Sequence, residues 1–464
     1  MGLNIHFKRS VYMNIIVVGC GKIGTTLIAS LVAEGHNVTA VDIDPAVTTE
    51  INNIYDVMVV SGNGTDCDTL SEAGAEKANL VIAATGSDEF NMLTCFLARR
   101  MGARHTIARI RNPEYNDSSL GFLKQHLNLS MSINPELLAA QELYHLLKVP
   151  SAIKIDTFSR RTFELVQLRL QPDSQLDGMT LAELKKKYKA QYLVCAVKRD
   201  DKVYTPDGSF VLKGGDRIGV TTTQSELIRL LKMLGETQKQ AKRVMILGAS
   251  RTAYYLAKML IGSGNSVTII EKKHERCKKM CEVLPEAVII QGDGAQQELL
   301  LEEGLGSADA FISLTGTDEQ NILISYFAHE QKVPKVITKI NRDEFTPMAE
   351  RLGLDTIISP KKIVSDVVLR YARALQNSLG SEVETLYKLM DSEVEALEFI
   401  VRPDCSILNV PLKDMKIRKG VLIGGIIRGR KAIIPSGFDV ILPDDRVVII
   451  AEGKRLGSLD DIIE

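Results

Sequence analysis

The chain has 464 residues, 45% hydrophobic and 25% charged, a length that exceeds one hydrophobic core and predicts roughly three or four domains. Its 57 basic and 58 acidic side chains leave a net charge of -1. With no Trp and 5% aromatics, neither electrostatics nor base stacking argues for nucleic acid as the main partner. No run approaches the roughly 20 apolar residues that span a bilayer. Seven scattered cysteines, an odd number, make no disulfide framework, so a cytoplasmic protein without direct membrane insertion is expected.

Residues 1–12 read as an extension, with Met13 a second candidate start. The apolar run IIVV is too short for a signal peptide, and His6 breaks a myristoylation pattern. The run NIIVV predicts a first strand, followed by a helix through Leu27, Leu31 and Val32. Then come NVTAVD, a helix, DVMVV, a helix around Leu70, NLVIAA, a helix through Met92, Phe96 and Leu97, and HTIARI. Strands alternating with helices predict βαβ units, a parallel sheet covered on both faces and a doubly wound α/β fold.

The first turn of this sheet carries Gly19-Cys20-Gly21-Lys22-Ile23-Gly24, a full G-x-G-x-x-G between a strand and a helix. Asp42 ends the second strand, 18 residues beyond Gly24. Together these make a dinucleotide fingerprint. Gly19 makes the tight turn, Gly21 admits a pyrophosphate to the backbone and Gly24 lets helix and strand pack closely. The helix N-terminus offers N–H groups to an anion. Asp42 accepts from ribose hydroxyls and repels a 2′-phosphate, favouring NAD(H) or an adenosine nucleotide over NADP. After the third strand, Gly62, Asn63, Gly64, Thr65 and Asp66 suit the adenine side. After the fourth, Ala84 and Thr85 would close over ribose or phosphates, and Asp88 is either part of the site or a helix N-cap. Arg109 and Arg111 end the fifth strand, where phosphate, a neighbouring subunit and plain salt bridging are all open to them.

A helical pattern over Asn134–Val149 leaves the sheet, and a β-rich unit of about 80 residues follows, with turns at Pro206-Asp207-Gly208 and Gly214-Gly215. Its basic run at 185–189 lies on a short helix and reads as a solvated face, with a membrane-surface role as the alternative. The polar stretch 232–242 marks a boundary.

Beyond it the sequence repeats itself. Gly19 and Asp42 recur as Gly248 and Glu271 at an offset of 229 residues, and Gly62, Thr85 and Asn91 as Gly292, Thr315 and Asn321 at 230. The smaller units repeat too, Pro206, Gly208 and Asp216 recurring as Pro435, Gly437 and Asp445. The chain is a tandem duplication. Expected domains are 13–133, 150–233, 242–360 and 380–464: two Rossmann-like units, each followed by a small β-rich α+β unit. The second fingerprint is altered to Gly248-Ala249-Ser250-Arg251-Thr252-Ala253. Ser250 restricts backbone approach, Arg251 adds a phosphate-competent guanidinium, and Glu271, Gly292, Asp293 and Thr315 keep the frame. This half binds a nucleotide with a different preference, or none. Cys277, Cys281 and His274 lie on one predicted helix and could share a metal, but no second ligand pair is evident, so small side chains in a reduced cytosolic chain are the favoured reading and no metal is expected.

The series VVGCGKIG, VDID, GNGTD, AATGSDEFNM and ARIRNPEY, together with the duplication and the PDGSF and PSGFD turns, resembles the bacterial regulators of Trk-type potassium uptake over residues 13–464. Their relatives carry domains called regulators of potassium conductance. The resemblance implies a Rossmann and a ligand-type subdomain in each half, and NAD(H) and adenine nucleotides, ATP or ADP, as effectors. It also implies a homo-oligomeric ring, dimer or tetramer, at the inner face of the cell membrane beneath a potassium-translocating subunit. A regulator without catalytic residues is expected. The alternative is an NAD-dependent oxidoreductase acting on a small soluble substrate, but the seven His residues form no constellation and neither small β-rich unit offers a Tyr-x-x-x-Lys.

Overall fold

The computed structural model describes Tyr12 to Glu464 apart from residues 114, 116, 159–162, 173, 189–190, 201, 234–239, 379–382, 391–392 and 454–455. The extension at 1–11, most of the boundary stretch (234–239) and the end of the basic run therefore lie outside the described residues. The described chain forms two compact units: one holds residues up to Ala139 and the segment that begins at Ser359, the other holds the rest.

The first unit contains β1 (Asn14–Val18), α1 (Lys22–Ala33), β2 (Asn37–Asp42), α2 (Pro45–Ile54), β3 (Met58–Ser61), α3 (Cys67–Glu72), β4 (Leu80–Ala83), α4 (Asp88–Met101), β5 (His105–Arg109), α5 (Asp117–His126) and β6 (Met131–Ile133). All strands are parallel in the order β3-β2-β1-β4-β5-β6, the doubly wound order. Apolar runs such as IIVV and LVIA are buried along their whole length because helices cover both faces. The helix α6 (Pro135–Lys148) then carries the chain into the second unit.

There β7 (Ala152–Phe158), β8 (Phe163–Arg169), α7 (Leu181–Lys187), β9 (Tyr192–Arg199), β10 (Lys202–Tyr204), β11 (Arg217–Thr222) and α8 (Gln224–Met233) form the first small module. Its antiparallel sheet runs β10-β9-β11-β8-β7. Thr180 and Glu183 close a capping box that starts α7 where the sequence predicts a short helix. The second Rossmann-like sheet follows: β12 (Arg243–Leu247), α9 (Arg251–Ile261), β13 (Ser266–Glu271), α10 (His274–Val283), β14 (Val288–Gln291), α11 (Gln297–Glu302), β15 (Ala310–Ser313), α12 (Asp318–Glu330), β16 (Lys335–Lys339), α13 (Thr346–Arg351) and β17 (Ile357–Ile358), in the order β14-β13-β12-β15-β16-β17. After α14 (Pro360–Ser378), the second small module comprises β18 (Val383–Leu389), β19 (Val394–Ile400), β20 (Val421–Arg428), β21 (Lys431–Ile433) and β22 (Arg446–Glu452), ordered β18-β19-β22-β20-β21. That is the first module's connectivity repeated, so the duplication seen in sequence is one of topology as well.

Each small module is pinned by a buried carboxylate. Asp216, 1% exposed, takes a two-pronged contact from Arg199 at 2.7 Å to each oxygen and accepts from the Lys213 amide at 2.8 Å. Asp445 repeats this with Arg428 at 2.9 and 2.8 Å and the Leu442 amide at 2.9 Å. The repeated Asp of the two turn motifs thus fastens a loop to a strand. The two modules share a core in which Phe158, Phe163, Leu165 and Cys195 of the first meet Leu389, Ala396, Ile427 and Ile450 of the second.

One element crosses between the repeats. Helix α14 lies in sequence after the second Rossmann-like sheet, yet it packs in the first unit, where Val364, Val368, Leu369 and Ala372 are buried with Leu27, Ile28 and Leu31 of α1. Ser365 donates to Ser30 at 2.7 Å, and Arg373 pairs with Glu34. Each half is consequently incomplete as a contiguous segment. Among the described residues no helix is long and apolar enough to cross a membrane.

Candidate nucleotide site

The C-terminal ends of β1 to β5 converge on a cleft of about 620 Å³, within the size usual for small-molecule sites. Its first wall is the β1–α1 turn. Gly19 takes φ +91°, a left-handed conformation open to glycine, while its amide donates to Val41 O at 2.8 Å. At Gly24 a Cβ would sit 1.9 Å from the carbonyl oxygen of Gly19, so the turn closes only on glycine. Gly21 differs from both. Its φ of -68° and ψ of -171° suit any residue, and a Cβ there would meet no protein atom within 4 Å. It faces the open cleft, and as N-cap of α1 it leaves the first-turn N–H groups without a side-chain acceptor. These donors and the positive end of the helix dipole are what an anion needs.

Asp42 stands at the end of β2 and does more than the fingerprint requires. Oδ2 accepts from the Cys20 amide at 2.6 Å and Oδ1 from the Asp44 amide at 3.0 Å. The carboxylate therefore clamps the glycine turn, and its remaining lone pairs face the cleft that it lines. The predicted residues Gly19, Gly21, Lys22, Ile23, Asp42, Gly62, Asn63, Gly64, Ala84, Thr85 and Arg109 all line this cleft.

Three other predicted residues lie behind the lining. Gly24 acts in helix–strand packing. Cys20 is buried, its thiol pushed up to about 12 by desolvation and by the Asp42 charge and donating to Val41 O, while its amide serves the turn. Thr65 donates to Asn63 Oδ1 at 2.8 Å and shapes the loop from within. Asp88, left open between site and helix N-cap, is not the cap, which is Ser87; its Oδ2 accepts from the amides of Arg111 and Asn112 at 2.8 and 2.7 Å. Asp88 therefore ties α4 to the loop after β5. Arg111 is committed to Glu136 at 2.7 Å, while Arg109 donates to Thr85 O at 2.9 Å on the cleft wall.

Sequence reasoning missed the residue that joins these parts. Asn91, fully buried, accepts at Oδ1 from the Thr85 amide and hydroxyl at 2.8 and 2.7 Å. Its Nδ2 donates to Arg109 O at 2.9 Å. One side chain thus sets the β4 loop against the end of β5. Asn321 repeats every one of these contacts with Thr315 and Lys339, and that recurrence was the available signal. Ile43, Ser87 and Phe90 also line the cleft beyond the predicted set.

The second turn keeps the clamp and changes the mouth. Glu271 accepts from the amides of Ala249 and Lys273, both at 2.9 Å, as Asp42 does. Ser250, however, is an N-cap whose hydroxyl accepts from the Ala253 amide at 3.2 Å, using a donor that Gly21 leaves open. Lys272 pairs with Asp293 at 2.7 Å between the ends of β13 and β14, where the first half has Ile43 and Asn63. Gly248 keeps the left-handed turn (φ +96°), Gly292 packs on Leu299, and Arg251 is exposed at the helix start. Among the described residues no three His, Cys, Asp or Glu side chains gather as a metal site. Cys277 donates to Glu271 O and His274 meets Gln291 Oε1 instead.

Comparison with known proteins agrees with this duplicated layout. The TrkA-N domain model matches residues 15–123 and 244–360, and the TrkA-C domain model matches 165–235 and 396–464. The "Trk system potassium uptake protein TrkA homolog" of Archaeoglobus fulgidus is 31% identical over 452 residues, covering 97% of this chain and 100% of the relative. The "Trk system potassium uptake protein TrkA" of Vibrio alginolyticus is 30% identical, covering 96% and 97%. In structure, the "GsuK channel bound to NAD" aligns with a TM-score of 0.61 at 17% identity, over 96% of this chain and 78% of its own. With each domain matched twice in tandem and relatives aligned nearly end to end, this chain belongs to the family of Trk-system potassium uptake proteins built from TrkA-N and TrkA-C domains.

Proposed function

We propose that this chain is a cytosolic nucleotide-sensing subunit that gates the membrane potassium-translocating subunit of a Trk-type uptake system. NAD(H) binds the first cleft, its pyrophosphate on the open N-terminus of α1 beside Gly21 and its adenosine ribose against Asp42. ATP or ADP enters the same cleft through the shared adenosine and phosphate groups. The chain works as a homo-oligomer, dimer or tetramer, at the inner face of the membrane, with functional domains at 13–133, 150–233, 242–360 and 380–464. Nucleotide binding shifts the assembly between two arrangements through unequal affinity for them.

The observation that carries this proposal is the β1–α1 turn, which combines uncapped helix donors, a side-chain-free approach at Gly21 and a carboxylate at the end of β2. The family relatives are potassium uptake proteins by name and a structural neighbour is a channel bound to NAD, both in keeping with it. The chain is a regulator rather than an enzyme: its relatives carry a transport-system name. The second glycine turn, with Ser250 capping its helix and Lys272 paired with Asp293 beside it, takes a nucleotide of different preference or none. The test is titration with NADH, followed by cofactor fluorescence in a chain that has no Trp of its own. Saturable binding that ATP displaces, without turnover on small carbonyl compounds, is expected. Turnover would favour an oxidoreductase, and absence of binding would remove the proposed site.

A further inference from the structure

Within the second unit, the first small module meets the second Rossmann-like sheet across a cluster of charges. Arg169 of β8 pairs with Asp355 at 2.7 Å, and Arg217 of β11 with Glu350 of α13 at 2.9 Å. Near Asp355 lies Lys335, the first residue of β16, which is 5% exposed. Its Nζ donates to Ala152 O at 2.6 Å, at the start of β7, and to Thr356 Oγ1 at 2.8 Å. A lysine buried on two neutral oxygens is unusual, because an ammonium out of water needs a carboxylate in contact. The nearby Asp355 is already held by Arg169.

We infer that Lys335 is the proton-linked fastening of this interface: the small module docks on the Rossmann-like sheet with release of a proton and loosens when the lysine takes one up. The side chain supports docking in the neutral form, since an amine keeps two N–H donors and both are used here. The ammonium form brings a charge into a site that supplies no contacting carboxylate.

Burial holds the Lys335 ammonium down at about 7, against the attraction of Asp355. A separated interface returns it to water and to its ordinary value near 10.4. The open state therefore binds more protons from about pH 7 upward, and docking strengthens as pH rises through that window. Below about pH 7 both states are protonated and the dependence flattens. The other charged groups facing the cluster are Asp355, Arg169, Arg217, Glu350 and, at the end of α12, His329. Asp309, which precedes the strand neighbour Ala310, is taken by the amides of Lys242 and Arg243. Desolvation raises the Asp355 carboxyl, opposed by the Arg169 and Arg217 charges, and His329 is exposed. Among these groups Lys335 is the cation that docking takes out of water onto neutral oxygens, and the pH dependence is assigned to it.

The test is hydrogen exchange of the full chain from pH 6.5 to 8.5, with intrinsic amide rates divided out, following peptides over 335–340 and 354–358. Wild-type opening should fall on the order of tenfold between pH 7 and pH 8.5. Lys335→Met should leave it flat over that range, and His329→Gln should leave the wild-type slope unchanged. Asp355→Asn, which removes the attracting carboxylate, should move the transition to lower pH. This variant keeps the proposal testable if the methionine variant folds poorly. A flat wild-type profile, the same slope in Lys335→Met, or an unshifted transition in Asp355→Asn overturns the inference.

Discussion

Replacing Gly21 with Ala separates nucleotide binding from folding more cleanly than any change at the acid. The backbone at Gly21 (φ -68°, ψ -171°) is allowed for alanine, and the new methyl would meet no protein atom within 4 Å. The fold should lose nothing; restricting the unfolded chain even adds about 0.4–1 kcal/mol. The methyl points instead into the space that the proposed pyrophosphate occupies. Loss of one charge-assisted N–H contact to phosphate costs about 1.5–3 kcal/mol, roughly 10- to 150-fold in Kd. The assay is NADH titration of wild type and Gly21→Ala beside a thermal melt. Expected are an unchanged or slightly raised Tm and a Kd weakened by at least about tenfold. Gly24→Ala is the opposite control, since its Cβ would lie 1.9 Å from Gly19 O and it should destabilise the chain outright. Asp42→Ala mixes the two effects, because Asp42 also holds the Cys20 and Asp44 amides. A folded Gly21→Ala with wild-type affinity would refute the placement of the ligand.

Further outcomes follow from the packing. Leu369→Ala, in the helix contributed to the first unit, should cost about 2–5 kcal/mol by leaving a cavity against α1, measured by denaturant unfolding monitored by circular dichroism. Asp216→Ala strands Arg199 and the Lys213 amide and should cost about 3–5 kcal/mol, seen as early loss of the first small module in hydrogen exchange. Thiol alkylation at pH 8 should label exposed Cys67 and Cys281 and spare Cys20, Cys95 and Cys195, whose thiols burial pushes up to about 12; rapid labelling of Cys20 by mass spectrometry would mean the turn opens.

The sheets were legible in sequence because parallel strands buried on both faces leave long apolar runs such as IIVV and LVIA. The short strands β6 and β17 were not, since three and two residues make no periodic signal. The crossing of α14 was also hidden: its apolar stripe shows that the helix packs, never against which sheet. In the site, glycines and Asp42 stood out because each answers a local steric or charge demand. Asn91 did not, because its partners Thr85 and Arg109 come together only when β4 and β5 lie side by side. Lys335 looks like an ordinary strand-edge lysine in sequence, and its acceptor Ala152 O comes from a strand far away in the chain.

The central claim is tested most directly by potassium flux through vesicles holding the Trk membrane subunit, with this chain added on the cytoplasmic side, with and without NADH. NADH should change the flux in the presence of the wild-type chain, and Gly21→Ala should remove that response at the same NADH concentration while the protein remains bound to the vesicles. Flux indifferent to NADH with the wild-type chain bound, or an equal response with Gly21→Ala, would contradict nucleotide sensing at the first cleft.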